Sequence, residues 1–259
     1  MRLTFDYHTH TVYSHGKGNI EENAVSAKEK GLSGICISDH GAAHPIFGIR
    51  SRYLDKMKQE CQQASRQTGI EVLLGVEANV LGISGKIDVK EQDYDKFDCL
   101  LAGIHRFILY DGIPEWLSLG AGNMFSQISK KGPSQKLKER NTKVYINCIK
   151  NNPIDIITHL NYLVFSNAVE VAKCCEDYGT YIEINTKKVH LSDQEWQDLV
   201  DKTNVNFVIN SDAHSTDRVG DDKLAKELLQ RVNIPLERIK NINGNKPNFL
   251  RFADFKEKL

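Results

Sequence analysis

Three of the nine histidines, His8, His10 and His15, fall within eight residues, just behind the short apolar opening of Leu3 and Phe5. In an extended segment side chains alternate with period two, so His8 and His10 share a face. Two neutral imidazoles held side by side form a bidentate clamp for a divalent cation. His15, five residues past His10 and followed by Gly16, falls on the next loop, where it can turn towards a second ion. Asp212 and His214 repeat the same i, i+2 clamp late in the chain. Single metal-competent side chains, His40, Glu77, His105 and His159, follow other apolar runs. Glu77 comes directly behind Leu73-Leu74-Gly75-Val76, where an unpaired carboxylate is costly. A cation, or a pair bridged by its two oxygens, removes that cost. One H-x-H is equally well an exposed polar strand edge, but seven histidines obeying one positional rule are not. The remaining two, His44 and His190, lie in loops and read as rim residues, with His44 the better placed to touch substrate.

The elements that must position these groups alternate along the chain. Seven apolar runs begin at Leu3, Leu32, Glu71, Asp98, Ile154, Thr180 and Asn206, and amphipathic stretches separate them. Asn19 with Glu22, and Ser192 with Glu195, are helix-opening pairs, while Gly31, Gly69 and Gly179 are helix ends. Leu54, Met57, Cys61 and Ala64 form one stripe of a helix opening at Ser51. The order β, helix, β predicts a parallel sheet with crossover helices. Ligands follow six of the seven runs. Strand ends converge at the mouth of a barrel, whereas an open sheet would spread them along a line, so the expectation is a distorted seven-stranded (β/α)7 TIM-like barrel. The sixth run ends in Glu183-Ile184-Asn185, which supplies groups able to support ligands. Residues 107–141 read as a long irregular insertion with a flexible joint at Gly120 to Asn123. A helix is expected around Val144 to Ile149, another over Asp221 to Val232 and a terminal one around Phe249.

The 259 residues suffice to bury about three quarters of the unfolded surface in one core. Lysine plus arginine equal aspartate plus glutamate at 34 each, so no global field favours nucleic acid or an anionic membrane. Six cysteines without C-x-x-C spacing read as reduced core residues of a cytoplasmic protein. No apolar run approaches 18 residues, which excludes a membrane-spanning helix.

As an ordered set, His8-Thr-His10, Ser38-Asp39-His40-Gly41, Gly75-Val-Glu77-Ala-Asn79, His105, His159 and Ser211-Asp212-Ala-His214 resemble the motifs of the polymerase and histidinol phosphatase (PHP) family. The likeness runs from about Leu3 to Val219, and the tail is similar to small single-domain bacterial phosphatases of that family. It implies one PHP-type barrel over residues 1–259; the insertion 107–141 is the least family-like part and, because it begins beside a ligand-bearing strand end, a candidate lid. The likeness also implies a trinuclear centre: one ion on His8, His10, Glu77 and Asp212, a second on Glu77, His105 and His159, a third on His15, His40 and His214. Two positions depart from the family pattern. His15 stands where many members carry Asp, and His159-Leu160-Asn161 where many carry His-Pro-Gly.

The implied activity is metal-dependent hydrolysis of a phosphomonoester, with two to three divalent ions (Zn, Mn or Fe) and a small phosphorylated metabolite as substrate. Cations roughly 3.5–4 Å apart ionise a bridging water near neutrality and clamp the phosphate. Glu77 and Asp212 are then the carboxylates of the catalytic centre. Arg106, beside His105, is the candidate phosphate contact, ahead of Arg218. Asp39 and Asn185 are candidates for orienting imidazoles. Lys130 to Lys143 carries six cations against Glu139 alone, and reads as a solvated helix face or as part of the lid. A metal-dependent amidohydrolase is the rival enzyme class, although its bridging position is normally a lysine where this chain has Glu77. A non-catalytic metal-stabilised PHP module is the other alternative. Oligomeric state is not legible.

Overall fold

The computed structural model describes residues 1–129, 132–249 and 252. Seven strands, β1 (Phe5–Thr9), β2 (Gly34–Ile37), β3 (Glu71–Asn79), β4 (Cys99–Gly103), β5 (Ile156–Ile157), β6 (Tyr181–Asn185) and β7 (Phe207–Asn210), form one parallel sheet in sequential order. A bridge between Thr9 and Ala213 brings the end of the seventh strand back to the first, giving a nearly closed α/β barrel of the expected kind. The strands are apolar on both faces, as parallel strands covered by helices must be. Outward residues such as Ile35, Leu74 and Leu100 meet Met57, Cys61 and Ala64 of α2 (Leu54–Thr68), following the stripe read from sequence. Inward residues Phe5, Tyr7, Cys36, Cys99, Leu101, Ile156, Tyr181 and Val208 fill the barrel.

The seam between β7 and β1 is sealed mainly by side chains. The Asn210 amide oxygen accepts from the Tyr7 N–H at 2.9 Å. The buried Asn241 amide accepts from the Ile209 N–H and donates to the carbonyls of Phe5 (2.8 Å) and Ile209 (2.6 Å). Asp6 accepts from the Ser211 and Gly220 N–H groups. Only at the mouth does ladder pairing resume, with the His10 N–H donating to the Ala213 carbonyl at 2.8 Å.

The outer helices are α1 (Ile20–Glu29), α2, α5 (Gln135–Asn151), α6 (Ala168–Tyr178), α7 (Asp193–Lys202) and α8 (Lys223–Arg231). Both capping boxes form: Asn19 with Glu22 opens α1, and Ser192 with Glu195 opens α7. Gly69 and Gly179 close α2 and α6 in the left-handed conformation.

Several expectations need correction. The insertion is largely helical: α3 (Ile113–Glu115), a wide π turn over Trp116–Gly122, and α4 (Asn123–Ile128). The Gly120 to Asn123 stretch is therefore no flexible joint. The Asn123 side chain donates to the carbonyls of Ser118 and Leu119 and pairs with the Asn141 amide, which pins the turn. Helix α5 starts at Gln135, nine residues before the apolar stretch that signalled it, because Ser134 caps its amides. Strand β3 runs four residues beyond Gly75, since Gly75 to Asn79 pair in register with Cys99 to Gly103. Phe249 is not helical: its ring packs edge-on to Tyr7 and Tyr181 at the floor of the barrel. The rest of that expected helix lies outside the described residues, apart from buried Phe252. Among the described residues no helix is long and apolar enough to cross a membrane.

Candidate metal centre

The site begins with an irregularity in β1. Asp6 pairs with Ile35 and Thr9 with Ile37, so Tyr7 and His8 together oppose the single residue Cys36. Such a bulge re-aims the side chains beyond it. Strict alternation would set His8 opposite Phe5 and Tyr7, yet all three turn inward. His8 Nε2 and His10 Nε2 meet 3.1 Å apart. Behind His8, Nδ1 lies 2.7 Å from Glu183 Oε1, and a carboxylate only accepts, so Nδ1 carries the proton and Nε2 is left to the centre.

Glu77, from the extended end of β3, is the hub. Its Oε1 is 2.6 Å from His159 Nε2 and 3.0 Å from His105 Nε2. Its Oε2 is 2.8 Å from His40 Nδ1, 3.4 Å from His8 Nε2 and 3.6 Å from His10 Nε2. Asp212 Oδ1 stands 3.4 Å from His10 Nε2 and 3.9 Å from His8 Nε2. His214 Nδ1 donates to the Asp212 carbonyl at 2.9 Å, which leaves the ring's lone pair on Nε2, 3.3 Å from Lys187 Nζ. The His15 ring stacks on His40 at 4.8 Å and meets His214 edge-on at 4.1 Å. All nine side chains singled out from sequence therefore gather at one end of the barrel. Their potential ligand atoms fall into three compact groups, His8/His10/Glu77, His40/Glu77/His105 and His10/His40/His214. In the third group His10 takes the place that the family resemblance gives to His15.

Close approach on the β4 side depends on Gly103. A Cβ there would fall 2.6 Å from Thr158 Oγ1, 2.7 Å from His159 Cε1 and 3.1 Å from His105 Cε1. Backbone strain gathers at the same rim: Phe107, His159, Asn161, Leu163 and Asp212 all have positive φ. Asn161 tolerates this conformation better than most residues, and its Oδ1 accepts from the N–H and hydroxyl of Ser166. Asn161 thus takes the left-handed conformation at the position where the resembled pattern carries glycine.

Protonation states follow from burial and mutual charge. Burial alone would raise Glu77 and Asp212, but the surrounding imidazoles outweigh it and hold both carboxyls well below their ordinary range. Burial drives His10 well below its usual value, His15 to about 3 and His40 to about 4. His8 is the exception: Glu183 and Glu77 overcome burial and raise it. Ionised carboxylates and mostly neutral imidazoles are the forms that ligate a cation.

The donors fit a divalent ion. Glu77 Oε2 is buried without a hydrogen-bond partner while facing three imidazoles, and His40 Nδ1, its near neighbour, also lacks an aligned partner. The two Nε2 atoms of His8 and His10 leave room for one proton between them, not two. Nitrogen and carboxylate donors of this kind suit a divalent transition-metal ion.

The PHP domain family model matches residues 6–187. The chain belongs to the PHP domain family. A probable phosphatase of Caldanaerobacter subterraneus is 33% identical over 255 residues, covering 95% of this chain and 90% of that one. A probable phosphatase of Vibrio parahaemolyticus is 29% identical, covering 100% and 96%. The crystal structure of histidinol phosphate phosphatase from Lactococcus lactis, complexed with zinc, L-histidinol and phosphate, superposes with a TM-score of 0.59 at 16% identity, covering 89% of this chain and 94% of that one. That likeness is one of fold.

Above the PHP centre opens a cavity of about 570 Å³, lined in part by His44, Phe47, Arg106, Phe107, Tyr162, Lys187 and His190. Arg106 is held by Gln127 of α4 and keeps a buried Nε without a partner. Both loop histidines reach the cavity. Arg218 does not line it: the guanidinium pairs with Asp221 and with the Thr186 carbonyl, because the loop after β7 carries it outside the mouth. Asp39 binds Thr11 and Ser14 and stands 3.8 Å from His10 Nδ1, which Ser14 Oγ approaches at 3.5 Å, so it fixes the loop and reaches the His10 imidazole through Ser14. Asn185 braces two carboxylates, Glu183 at 2.9 Å and Asp212 at 3.2 Å. The insertion lines the cavity through Phe107 and touches Arg106 through Gln127. Among the described cations of the basic run, Lys136, Lys138, Arg140 and Lys143, none lines it, and Arg140 pairs with Glu115 inside the insertion. Lys130 and Lys131 lie outside the described residues. Lys187, Tyr162 and Thr158 escaped sequence reading. Thr158 donates to Glu77 Oε1 at 3.2 Å from directly before His159, a placement the strand-end rule reaches only once β5 is known to be two residues long.

Proposed function

We propose that this PHP protein is a metal-dependent phosphatase that hydrolyses a small phosphomonoester at a centre of two to three divalent ions. The observation that carries this reading is Glu77, a single buried carboxylate whose two oxygens each face a separate set of imidazoles. Bound ions would supply a water that ionises near neutral pH and positive charge for the phosphoryl oxygens. His8, His10 and Asp212 would hold one ion with Glu77, His105 and His159 a second, and His40 and His214, with His15 against them, a third. Glu183 fixes the His8 tautomer, and Asn185 keeps Asp212 aimed at the centre. Arg106, which lines the cavity, would bind a phosphoryl oxygen. The cavity admits a small phosphorylated metabolite. Six buried cysteines without C-x-x-C spacing fit a reducing compartment, and we place the protein in the cytoplasm.

The test is elemental analysis of the purified protein followed by phosphate release from an aryl phosphate and a panel of phosphorylated metabolites, with and without added Zn, Mn or Fe. At least two ions per chain and chelator-sensitive phosphate release are expected. A metal-loaded protein that releases phosphate from no ester overturns the reading.

A further inference from the structure

Lys187 stands apart from the ligands yet is built into their midst. Its Nζ lies 3.4 Å from Asp212 Oδ1 and 3.1 and 3.3 Å from Nδ1 and Nε2 of His214; Nδ1 donates to the Asp212 carbonyl, so Nε2 is the ring atom with a lone pair to offer. The backbone beneath it is fixed on both sides. Its N–H donates to Asn185 Oδ1 at 2.9 Å, and the same Asn185 side chain donates to Asp212. The neighbouring Thr186 N–H donates to the Asn210 carbonyl and its own carbonyl accepts from Arg218. A rigid loop thus presents a flexible cation, its side chain 48% exposed, at the wall of the cavity.

Both partners of that ammonium are groups that an ion would claim. The His214 Nε2 lone pair cannot serve a metal and a lysine together. Asp212 carries one negative charge, and when that charge is committed to a cation it no longer neutralises Lys187. With the centre loaded, the ammonium is left beside like charges and within reach of whatever anion enters the cavity. We propose that Lys187 is a substrate-binding residue that takes a phosphoryl oxygen on the Asp212/His214 side of the centre. The proposal rests on the phosphatase reading given above. Lysine binds phosphate as a compact point charge, which suits a group that must follow the phosphoryl oxygen after its apo partners are withdrawn.

The experiment compares metal-loaded wild type with Lys187→Met, Lys187→Arg and Lys188→Met, the last removing a cation from the same wall. Inorganic phosphate binding is measured by calorimetry, metal content by elemental analysis, and KM and kcat with an aryl phosphate. Losing a charge-assisted hydrogen bond should weaken phosphate binding by about ten- to a hundredfold in Lys187→Met. KM should rise in step, metal content should stay at the wild-type value, and Lys187→Arg should recover most of the loss. Wild-type phosphate affinity in Lys187→Met overturns the proposal. So does the gain of an ion in that variant, which would make the lysine a stand-in for a metal. An equal loss in Lys188→Met also overturns it, because only a diffuse field would then be at work. If wild type binds phosphate but hydrolyses no ester, the binding comparison still decides the role of Lys187 while the phosphatase reading falls.

Discussion

Glu183 Oε1 sits 2.7 Å behind His8 Nδ1, and both side chains are fully buried. The same carboxylate accepts from the Asn210 amide at 3.0 Å, the His159 N–H at 2.8 Å and the Asn185 amide at 2.9 Å. Four donors thus converge on a group that has about four acceptor positions and no proton of its own.

Glu183→Gln should therefore do two kinds of damage. An amide NH2 would face donors where only an acceptor fits, at a cost of about 1–3 kcal/mol of stability. Losing the charge behind His8 should weaken metal binding by about 10–100-fold. Denaturant midpoints and a chelator competition titration read the two effects separately, and unchanged metal affinity would remove Glu183 from its supporting role.

Glu77→Ala should lose more metal than His8→Ala. The glutamate faces both sides of the centre and His8 only one, so its removal should deplete more than one ion per chain. Elemental analysis of the two variants is the check, and equal metal content would show that Glu77 is not shared.

The positions of the ligands were legible because strand ends and period two are strong local rules. His40, His105 and His159 each follow an apolar run, and a parallel barrel converts that pattern into convergence. The bulge at Tyr7 and His8 was not legible, because nothing in Phe-Asp-Tyr-His marks an extra residue; it arises from pairing with β2. Glu77 looked like a residue beyond its strand, and only the register with β4 shows it inside. The wide turn at Trp116 to Gly122 reads as a joint from its glycines, whereas the Asn123–Asn141 pair that holds it is a long-range contact. Lys187 stands two residues past β6, as His105 does past β4 and Asp212 past β7, but lysine is not a ligand type, so a rule for metal ligands does not pick it out. It acquires meaning only from the loop that sets it over Asp212.

Gly103→Ala tests whether the second pair of imidazoles needs a bare backbone. The new methyl would collide with Thr158 and His159. Overpacking of this type typically costs about 1–3 kcal/mol. Because the clash is with site residues, metal at His105 and His159 should be lost before the fold is. Activity and metal content should fall in protein whose melting transition remains cooperative. A fully active alanine variant would show that the rim yields more readily than its packing implies.

The metal-stripped protein should weaken as the solution turns acid. His10, His15, His40 and His190 all have depressed folded values, with His15 at about 3 and His40 and His190 at about 4, chiefly through burial. The unfolded chain takes up these protons near its ordinary value of about 6.5. Their contribution to stability is thus complete above that value and is lost as the pH falls towards 4. Asp39, raised by burial to about 6, and Asp6 and Asp88, also raised by burial, act in the opposite sense, three groups against these four histidines and the likewise lowered His44 and His214. His8, raised rather than lowered, changes the balance only above about 6.5. Urea midpoints in chelator should be lower at pH 5 than at pH 7, and a higher midpoint at pH 5 would contradict the sign.

The side-chain stitching between the first and last strands carries a consequence for how the molecule opens. His8 and His10 stand on one lip of that seam, Asp212 and His214 on the other. An ion shared among them would act as a latch joining residues about two hundred positions apart in the chain. Loading the centre and closing the barrel would then be a single event, and the amides of Phe5 to Tyr7 should exchange with solvent more slowly once the latch is shut. Equal exchange in stripped and loaded protein would mean that the stitches of Asn210 and Asn241 hold without it. Where the latch does slow that exchange, occupancy is visible from the floor of the barrel, the end farthest from the chemistry.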